Sequence, residues 1–515
     1  MRSYSSRYLF SAISGLALVF AFAPFDVYPL AWVALVPFFL AIKDLPMRQS
    51  FKAGFMMGMF YFFGTTYWIY HSMHEFGGIP LVPSLLIVIL LACYLSLYTA
   101  VFAVIFNAKI KNTRLPALMA APVVWVTLEY IRSYALTGFP WSTLGYTQWN
   151  FLPAIQIADI TGVYGVSFLV VAVNAAIADF FIIRWRTREM PLFPLSYNIA
   201  AYSGFVFLMA FTFLYGHMRL GQQPQGRKIR ASVVQGDIDQ GHKWDAKYED
   251  QVFKTYKDLT YGALFQAPNI VVWPESSLPF PFDERDPRVK ELESVEQASS
   301  TPFLIGAIRQ KQDGKYANSA ILLDAGKPAF LYDKIHMVPF GEYVPLKRVL
   351  FFVNKMTDAI GDYEPGKDFS LGSIKQGEFG TLICYEIVFP GLVRKFFKDG
   401  GDFLVTITND AWFGRSTGPY QHFSMAVLRA VENRKPIIRA ANTGVSGFIS
   451  SSGAVIKRTS LFERGTLTAD IVTDHRKTFY SRFGDLFSYV CILSTLFITL
   501  LGREEKEKKF FQGGF

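Results

Sequence analysis

The chain has 515 residues, of which 51% are hydrophobic, 17% are aromatic and 18% are charged, whereas soluble domains carry about 25% charged residues. This composition excludes a disordered chain and an ordinary soluble enzyme. Lys and Arg (51) exceed Asp and Glu (41), giving a net charge of +10, and such an excess occurs both in nucleic-acid-binding proteins and in membrane proteins with basic cytoplasmic loops.

Long apolar runs bounded by charge, Pro or Gly predict membrane-spanning helices, because a bilayer core needs about 20 mostly apolar residues per helix. The predicted spans are Tyr8–Ala23, Val27–Ile42, Phe55–Tyr70, Leu81–Asn107, Leu115–Ile131, Val163–Ile183, Leu195–Tyr215 and, near the C-terminus, Leu486–Leu501. A second apolar run follows the first with no small-residue cleavage site between them. We therefore interpret the first run as a retained helix and not as a signal peptide.

Basic residues occur in alternate connections of this pattern. Lys and Arg lie at the N-terminus and after the second, fourth and sixth spans. The intervening connections Ala23–Val27 and His71–Pro80 contain neither, and the long connection Arg132–Gly162 contains only Arg132. The positive-inside rule then places the N-terminus in the cytoplasm, and eight spans return the basic C-terminal tail there. Because the basic residues are spread over short loops and do not form one patch, no nucleic-acid partner is expected.

The segment between the seventh and eighth spans has a different pattern. It opens with a linker-like stretch, Gly216–Arg227, and continues with β-rich runs that alternate with helical patterns. The runs are Ile229–Val234, Asn269–Trp273, Phe303–Ile308, Ser319–Leu323, Gly380–Cys384, Asp402–Thr408 and Ile437–Ala441, and the helical patterns are Lys247–Gln266, Arg288–Ala298 and Gly418–Asn433. This alternation predicts an external α/β layered domain. The predicted division is a membrane domain over 1–215, an external domain over 216–480, and an eighth span with a cytoplasmic tail over 481–515.

Three reactive side chains follow apolar runs of the external segment: Glu275, Lys334 and Cys384. In open α/β sheets, chemistry is concentrated beyond the carboxyl ends of strands. A carboxylate base, a cation and a thiol are the parts that covalent acyl transfer needs. Each residue alone has a structural explanation, as a turn carboxylate, a solvated strand-end charge or a small buried hydrophobe. Their joint placement favours the catalytic interpretation.

The flanking segments strengthen that interpretation. They are VVWPESSLP (Val271–Pro279), YDKIHMVPFGEYVP (Tyr332–Pro345), LICYEIVFP (Leu382–Pro390), NDAWFG (Asn409–Gly414) and the stretch Gly418–Gly447. These segments resemble the nitrilase superfamily and, more closely and over the full length, the bacterial apolipoprotein N-acyltransferases. The resemblance implies a nitrilase-like αββα sandwich carried on eight transmembrane helices of the bacterial cytoplasmic (inner) membrane.

The resemblance also implies the roles of individual residues. Glu275 would be the general base, Lys334 the oxyanion-stabilising cation and Cys384 the nucleophile. The supporting positions it implies are Asn318, Glu342, Tyr385 and Glu386. An acyl chain would pass from a phospholipid to a Cys384 thioester and then to the α-amino group of a lipoprotein's N-terminal diacylglyceryl-cysteine, with ping-pong kinetics. No cofactor is expected, and a monomer in the lipid bilayer is expected.

Aromatic residues near these segments predict an entrance for acyl chains. The segment Val349–Val353 is apolar and flanked by cations, as in an interfacial anchor or lid. The predicted substrate-binding residues are Trp244, Phe340, Phe351, Phe352, Trp412 and Phe413. The structural alternative is that these aromatic residues belong to the ordinary core or pack at the domain edge.

Three other functions stay open from the sequence. A membrane-tethered nitrilase-type amidase would use the same triad and hydrolyse the thioester with water. A transporter with a regulatory external domain is disfavoured because few ionisable residues lie in the spans, with Glu129 and Asp179 as the main exceptions. A non-catalytic binding module would tolerate loss of Cys384. The three cysteines form no CxxC pair and the seven histidines are scattered, so no disulfide framework or metal site is expected.

Overall fold

A computed structural model describes residues 4–110, 116–186, 195–311, 313–339, 341–343, 363–398 and 400–512. The chain forms two compact units. The first comprises Met1–Tyr70, Leu81–Gly221 and Phe483–Phe515, and the second comprises His71–Pro80 and Gln222–Arg482.

The first unit is built from helices, and each of the eight predicted spans overlaps helical residues. The helices are Tyr4–Ala21, Tyr28–Ala34, Val36–Ile42, Met47–Thr66, Ile69–His71, Leu81–Ile105, Phe106–Ile110 (a π-helical turn), Ala117–Tyr134, Leu144–Gln148 (3₁₀), Leu152–Ile155, Ala158–Thr161, Val163–Arg186, Leu195–Gly221 and Leu486–Gln512. Among the described residues, three helical stretches are long and apolar enough to cross a bilayer: Leu81–Ala108, Val163–Phe181 and Ile199–Gly221. Tyr28–Ile42 and Leu486–Leu500 are shorter apolar helical stretches. The number of eight spans stays a prediction.

The helix of the seventh predicted span continues to Gly221, so the prediction of a linker from Gly216 is wrong for its first six residues. Two contacts hold this last part of the helix. The Arg219 guanidinium pairs with the buried carboxylate of Asp159 at 2.6 Å, and the Tyr215 hydroxyl donates to the same carboxylate at 2.8 Å. The helix ends before Pro224, which cannot continue an α-helix without losing a hydrogen bond.

The two ionisable residues noted in the predicted spans both accept hydrogen bonds from backbone amides. Glu129 accepts from the Leu144 N–H at 2.8 Å. Asp179 accepts from the Leu118 N–H at 3.1 Å, in the first turn of the helix Ala117–Tyr134, where amides have no partner within the helix. Both carboxylates therefore have structural roles, which weakens the transporter hypothesis.

The second unit contains two six-stranded mixed sheets. The strands are β1 Lys228–Gln235, β2 Ile270–Val272, β3 Phe303–Gln310, β4 Tyr316–Asp324, β5 Lys327–Asp333, β6 Gly372–Ile374, β7 Gly377–Ile383, β8 Phe403–Thr408, β9 Ile437–Ala441, β10 Gly447–Ile449, β11 Val455–Arg458 and β12 Gly465–Val472. The strand orders are β12-β1-β2-β3-β4-β5 and β11-β10-β9-β8-β7-β6. Each sheet has three parallel strands at its centre, flanked by antiparallel ones.

Helices connect and cover these strands: Glu249–Leu264, Pro287–Ser299, Pro390–Lys398, Gly418–Asn433 and Phe479–Phe483. Strands β2, β8 and β9 are buried along their whole length, as the continuous apolar runs of parallel strands require. In the core of the first sheet, the fully buried Trp273 stacks on Tyr256 with ring centroids 5.1 Å apart. The predicted α/β domain is confirmed.

Candidate active site

The side chains singled out in the sequence lie just beyond the carboxyl ends of strands. Glu275 follows β2, Lys334 follows β5 and Cys384 follows β7. Strand β5 runs in the same direction as β2, because two antiparallel pairings lie between the parallel strand β3 and β5. Glu275 and Lys334 therefore leave the same edge of one sheet, and direct contacts join them.

The Glu275 carboxylate is buried and satisfied by three donors. Its Oε1 accepts from the Asn318 side-chain amide at 2.7 Å and from Lys334 Nζ at 3.4 Å. Its Oε2 accepts from the backbone N–H of Asn409 at 2.9 Å. Asn409 directly follows β8 of the second sheet. The base candidate is thus oriented by groups from both sheets.

Lys334 lies between two carboxylates. Its Nζ is 2.9 Å from Glu342 Oε1 and 3.4 Å from Glu275 Oε1, and its side chain is 1% exposed. Burial alone would lower the pKa of Lys334, but the carboxylates of Glu342 and Glu275 outweigh it and hold the pKa well above the ordinary value. Asn318 also donates to Glu342, at 3.3 Å. The ammonium is therefore a fixed positive charge at neutral pH.

Cys384 is buried at the start of a short 3₁₀ helix, Cys384–Val388. Its φ of 52° is in the left-handed region, which non-glycine residues adopt at an energetic cost. Burial raises the pKa of the Cys384 thiol, the Glu275 carboxylate raises it further, and Lys334 opposes both. The resting side chain is therefore a neutral thiol.

Glu386 connects the turn that begins at Cys384 with the segment that follows Lys334. Its carboxylate accepts from the backbone amides of Ile383, Ile335 and His336, at 2.7, 2.6 and 3.0 Å, and from the Tyr332 hydroxyl at 3.0 Å. Burial raises the pKa of Glu386 to about 7, although these amides lower it. Tyr385, the other supporting residue beside the nucleophile, is buried and its ring contacts Phe389 at 5.1 Å.

Lys243 is a buried cation near the site that the sequence did not single out. Its side chain is 1% exposed, and its Nζ donates to the Glu275 backbone carbonyl at 2.9 Å. Burial lowers the pKa of Lys243 to about 8, while Glu275 and Cys384 act in the opposite direction. In the sequence, only its position next to the predicted substrate-binding residue Trp244 pointed to Lys243.

The predicted substrate-binding residues differ in exposure, and three of them lie outside the described residues. Trp412 is 39% exposed and Trp244 is 45% exposed, so neither is an ordinary core residue. Phe413 packs its ring on His422 at 5.8 Å. Phe340, Phe351 and Phe352 lie outside the described residues, as does the predicted lid Val349–Val353.

The loop His71–Pro80 covers Trp412. The Ser72 hydroxyl donates to the Trp412 carbonyl at 2.6 Å, and the Phe76 ring meets the indole edge-on at 5.2 Å. Gly414 has φ 58°, and a Cβ there would lie 2.3 Å from His71 Nε2. Glycine is thus required both for the turn and for the approach of this loop.

The described residues contain no group of three or more His, Cys, Asp or Glu side chains that could hold a metal ion. The charged groups around Cys384 instead pair with one another and with backbone amides. Their arrangement fits acyl transfer through a thiol, with Glu275 for the proton and Lys334 for the oxyanion.

Two protein-family models match this chain. Residues 14–176 match the apolipoprotein N-acyltransferase N-terminal domain, and residues 230–478 match the carbon-nitrogen hydrolase family. An apolipoprotein N-acyltransferase of Geobacter metallireducens is 39% identical over 505 residues, which cover 97% of this chain and 96% of that protein. The chain belongs to the apolipoprotein N-acyltransferase family.

Other members of the family are similar over the same extent. The apolipoprotein N-acyltransferase of Haemophilus influenzae is 34% identical over 506 residues, or 96% of this chain and 94% of that protein. Among solved structures, an amidase from Nesterenkonia sp. is 18% identical, with a TM-score of 0.38, over 50% of this chain and 94% of that chain. The resemblance seen in the sequence to the nitrilase superfamily and to this acyltransferase family is confirmed.

Proposed function

We propose that this family member transfers an acyl chain from a membrane phospholipid to the α-amino group of the N-terminal diacylglyceryl-cysteine of lipoproteins, as the last step of their maturation. The observation that carries the proposal is the position of Lys334 between Glu275 and Glu342, near the strained turn at Cys384. The full-length relatives of this chain are apolipoprotein N-acyltransferases.

In the first half-reaction, Cys384 attacks the ester carbonyl of the phospholipid. Because the thiol is neutral at rest, its proton must leave as the S–C bond forms, and the Glu275 carboxylate accepts it. Lys334 stabilises the oxyanion of the tetrahedral intermediate. Collapse breaks the C–O bond, the departing lysophospholipid oxygen takes the proton from Glu275, and an acyl-thioester remains on Cys384.

In the second half-reaction, the neutral α-amine of the lipoprotein attacks the thioester carbonyl. Glu275 takes a proton from the attacking nitrogen and returns it to the Cys384 sulfur as the C–S bond breaks. The products are an amide and the free thiol. One nucleophile thus serves two substrates in turn, which requires ping-pong kinetics.

The proposal includes a topology and partners. Eight spans would place both termini in the cytoplasm and the catalytic domain outside the inner membrane, where both lipid substrates are within reach. The helices over the predicted spans and the three stretches long enough to cross a bilayer support this arrangement. The acceptor is a diacylated lipoprotein, the donor is a phospholipid, and the enzyme acts as a monomer.

Mass spectrometry tests the function directly. The purified full-length chain is incubated in phospholipid vesicles with a diacylated lipopeptide. We expect a third acyl chain on the N-terminal cysteine and, before the lipopeptide is added, a hydroxylamine-labile acyl group on Cys384. Release of free fatty acid without lipopeptide modification would instead identify an amidase-type hydrolase.

A matched pair of cysteine variants supplies the control. Cys384→Ala should lose both the thioester and the transfer, whereas Cys93→Ala, which removes another free thiol, should keep both. Full transfer by Cys384→Ala would exclude the mechanism and favour a non-catalytic role for this residue.

A further inference from the structure

The turn that begins at Cys384 is contacted by a histidine from another helix. His422, on the helix Gly418–Asn433, has its Nε2 3.1 Å from the backbone carbonyl of Cys384. A carbonyl oxygen only accepts hydrogen bonds, so Nε2 must carry the proton. The imidazole therefore donates to the residue whose backbone is in the left-handed region.

The other ring nitrogen belongs to a fully buried charged cluster. His422 Nδ1 is 2.9 Å from Asp410 Oδ1 and 3.0 Å from Arg439 NH2. Asp410 Oδ2 accepts from Arg439 NH2 at 2.9 Å, and Asp410 Oδ1 accepts from the Thr408 hydroxyl at 2.8 Å. His422, Asp410 and Arg439 all have fully buried side chains. We call these three residues the buried triad.

The buried triad links neighbouring strands of the second sheet. Asp410 follows β8, Arg439 lies in β9, and the carbonyl that His422 contacts follows β7. Burial and the neighbouring Arg439 guanidinium lower the pKa of His422. Burial alone would raise the pKa of Asp410, but Arg439 and His422 lower it to about 2. The geometry therefore places Nε2–H on the Cys384 carbonyl and Nδ1 between Asp410 Oδ1 and Arg439 NH2.

The direction of the Cys384 carbonyl also fixes the next amide. The peptide group is planar and trans, so the N–H of Tyr385 points opposite to the carbonyl of Cys384. That N–H lies in the first turn of the helix Cys384–Val388, where amides have no acceptor within the helix. Such an amide beside a nucleophile can donate to a developing oxyanion.

We infer that His422 is a positioning residue for acyl transfer: its Nε2–H, held by Asp410 and Arg439, fixes the Cys384–Tyr385 peptide in the orientation that presents the thiol and the Tyr385 N–H to the ester carbonyl. The inference rests on the proposed role of Cys384 as the nucleophile. His422 touches no reacting atom and acts through the backbone.

The test compares two substitutions of His422 in the full-length chain in phospholipid vesicles. His422→Phe keeps a ring and removes the donor, whereas His422→Gln keeps an N–H group at about the distance of Nε2. We expect His422→Phe to slow single-turnover thioester formation about 100-fold, as loss of an oxyanion donor does, with little change in the KM for phospholipid. His422→Gln should recover about tenfold of that loss.

Val427→Ala is the matched control, since it removes buried packing from the same helix without touching the carbonyl. It should lower the melting temperature but leave the acylation rate near that of the wild type. If both His422 variants acylate at the wild-type rate, or if both lose activity only in proportion to their melting temperature, His422 has no positioning role. Absence of a Cys384 thioester in the wild type would instead overturn the proposed function.

Discussion

At the scale of single residues, the site combines a neutral thiol with a paired ammonium group. The Cys384 thiol is neutral because burial and Glu275 raise its pKa, and the Lys334 ammonium is permanent because two carboxylates raise its pKa. A buried thiolate would be exposed to oxidation and alkylation. A neutral thiol limits such side reactions and, in the proposed mechanism, loses its proton only as the S–C bond forms.

The charge on Lys334 depends on Glu342, and Glu342→Gln tests this dependence. Removing one of the carboxylates that raise the Lys334 pKa should lower that pKa. Deprotonation of the ammonium would then begin at a lower pH, so the alkaline loss of acylation should move to lower pH than in the wild type. We expect the loss of rate to appear at the alkaline end of a profile measured by single-turnover thioester formation between pH 6 and 10.

Glu364→Gln provides the matched control for this change. Glu364 pairs with Lys311 at 3.3 Å, and both side chains are partly exposed, so the same loss of charge occurs outside the catalytic cluster. Its pH profile should match that of the wild type. An unchanged alkaline limb in Glu342→Gln would mean that Glu342 does not maintain the charge of Lys334.

Sequence reasoning found only some of these residues. Glu275 and Cys384 were visible because each follows an apolar strand, and the resemblance named Glu342 and Asn318. Lys243 and the buried triad were missed, because their partners are distant in sequence. His422 contacts a carbonyl 38 residues away, and no local pattern encodes that distance. Asp410 was noted only as part of the NDAWFG segment.

At the scale of elements, Glu386 is the joint between the loop after β5 and the turn after β7. One carboxylate accepts from three backbone amides and one hydroxyl. The Glu386 carboxylate therefore connects the segment after Lys334 in the first sheet with the turn at Cys384 in the second.

Glu386→Ala should break the connection between the loop after β5 and the turn after β7. It leaves the amides of Ile383, Ile335 and His336 without their acceptor, and each unpaired buried donor costs about 1 kcal/mol or more. We expect a loss of about 3 kcal/mol or more in the free energy of unfolding and loss of acylation. Chemical denaturation and thioester formation measure the two effects.

Tyr332→Phe tests the same joint more gently, because it removes only the hydroxyl donor to Glu386. We expect a loss of about 1 kcal/mol in the free energy of unfolding, with most of the acylation retained. Equal losses in Tyr332→Phe and Glu386→Ala would show that the backbone amides contribute little.

The strands and helices with continuous patterns were predictable. Ile437–Ala441 and Gly418–Asn433 have the predicted bounds, since their apolar runs match buried elements. The helix Pro390–Lys398 was not predicted, because its nine residues include Arg and two Lys. The strands β6, β10, β11 and β12 were also missed: three are only three or four residues long, and β12 is only partly buried. Pairing with neighbours forms such strands, and a single sequence does not reveal it.

At the scale of the whole molecule, the proposed topology predicts which sites face outside. In a background with Cys93, Cys384 and Cys491 changed to Ala, Lys254→Cys would be exposed in the domain proposed to be external, and Lys52→Cys would be exposed in a predicted cytoplasmic connection. A membrane-impermeant maleimide should label only Lys254→Cys in intact spheroplasts. Labelling of Lys52→Cys should require permeabilised membranes. The reverse pattern would invert the proposed orientation.

The loop His71–Pro80 has a practical consequence for protein engineering. It groups with Gln222–Arg482 although 141 residues, Leu81–Gly221, separate the two in the chain. A soluble fragment cut at Gln222 and Arg482 would therefore lack part of its own folded unit. It would expose to water the face of Trp412 that Phe76 covers. A fragment meant for crystallisation or inhibitor screening should carry this decapeptide as a graft or be supplied with it as a separate peptide.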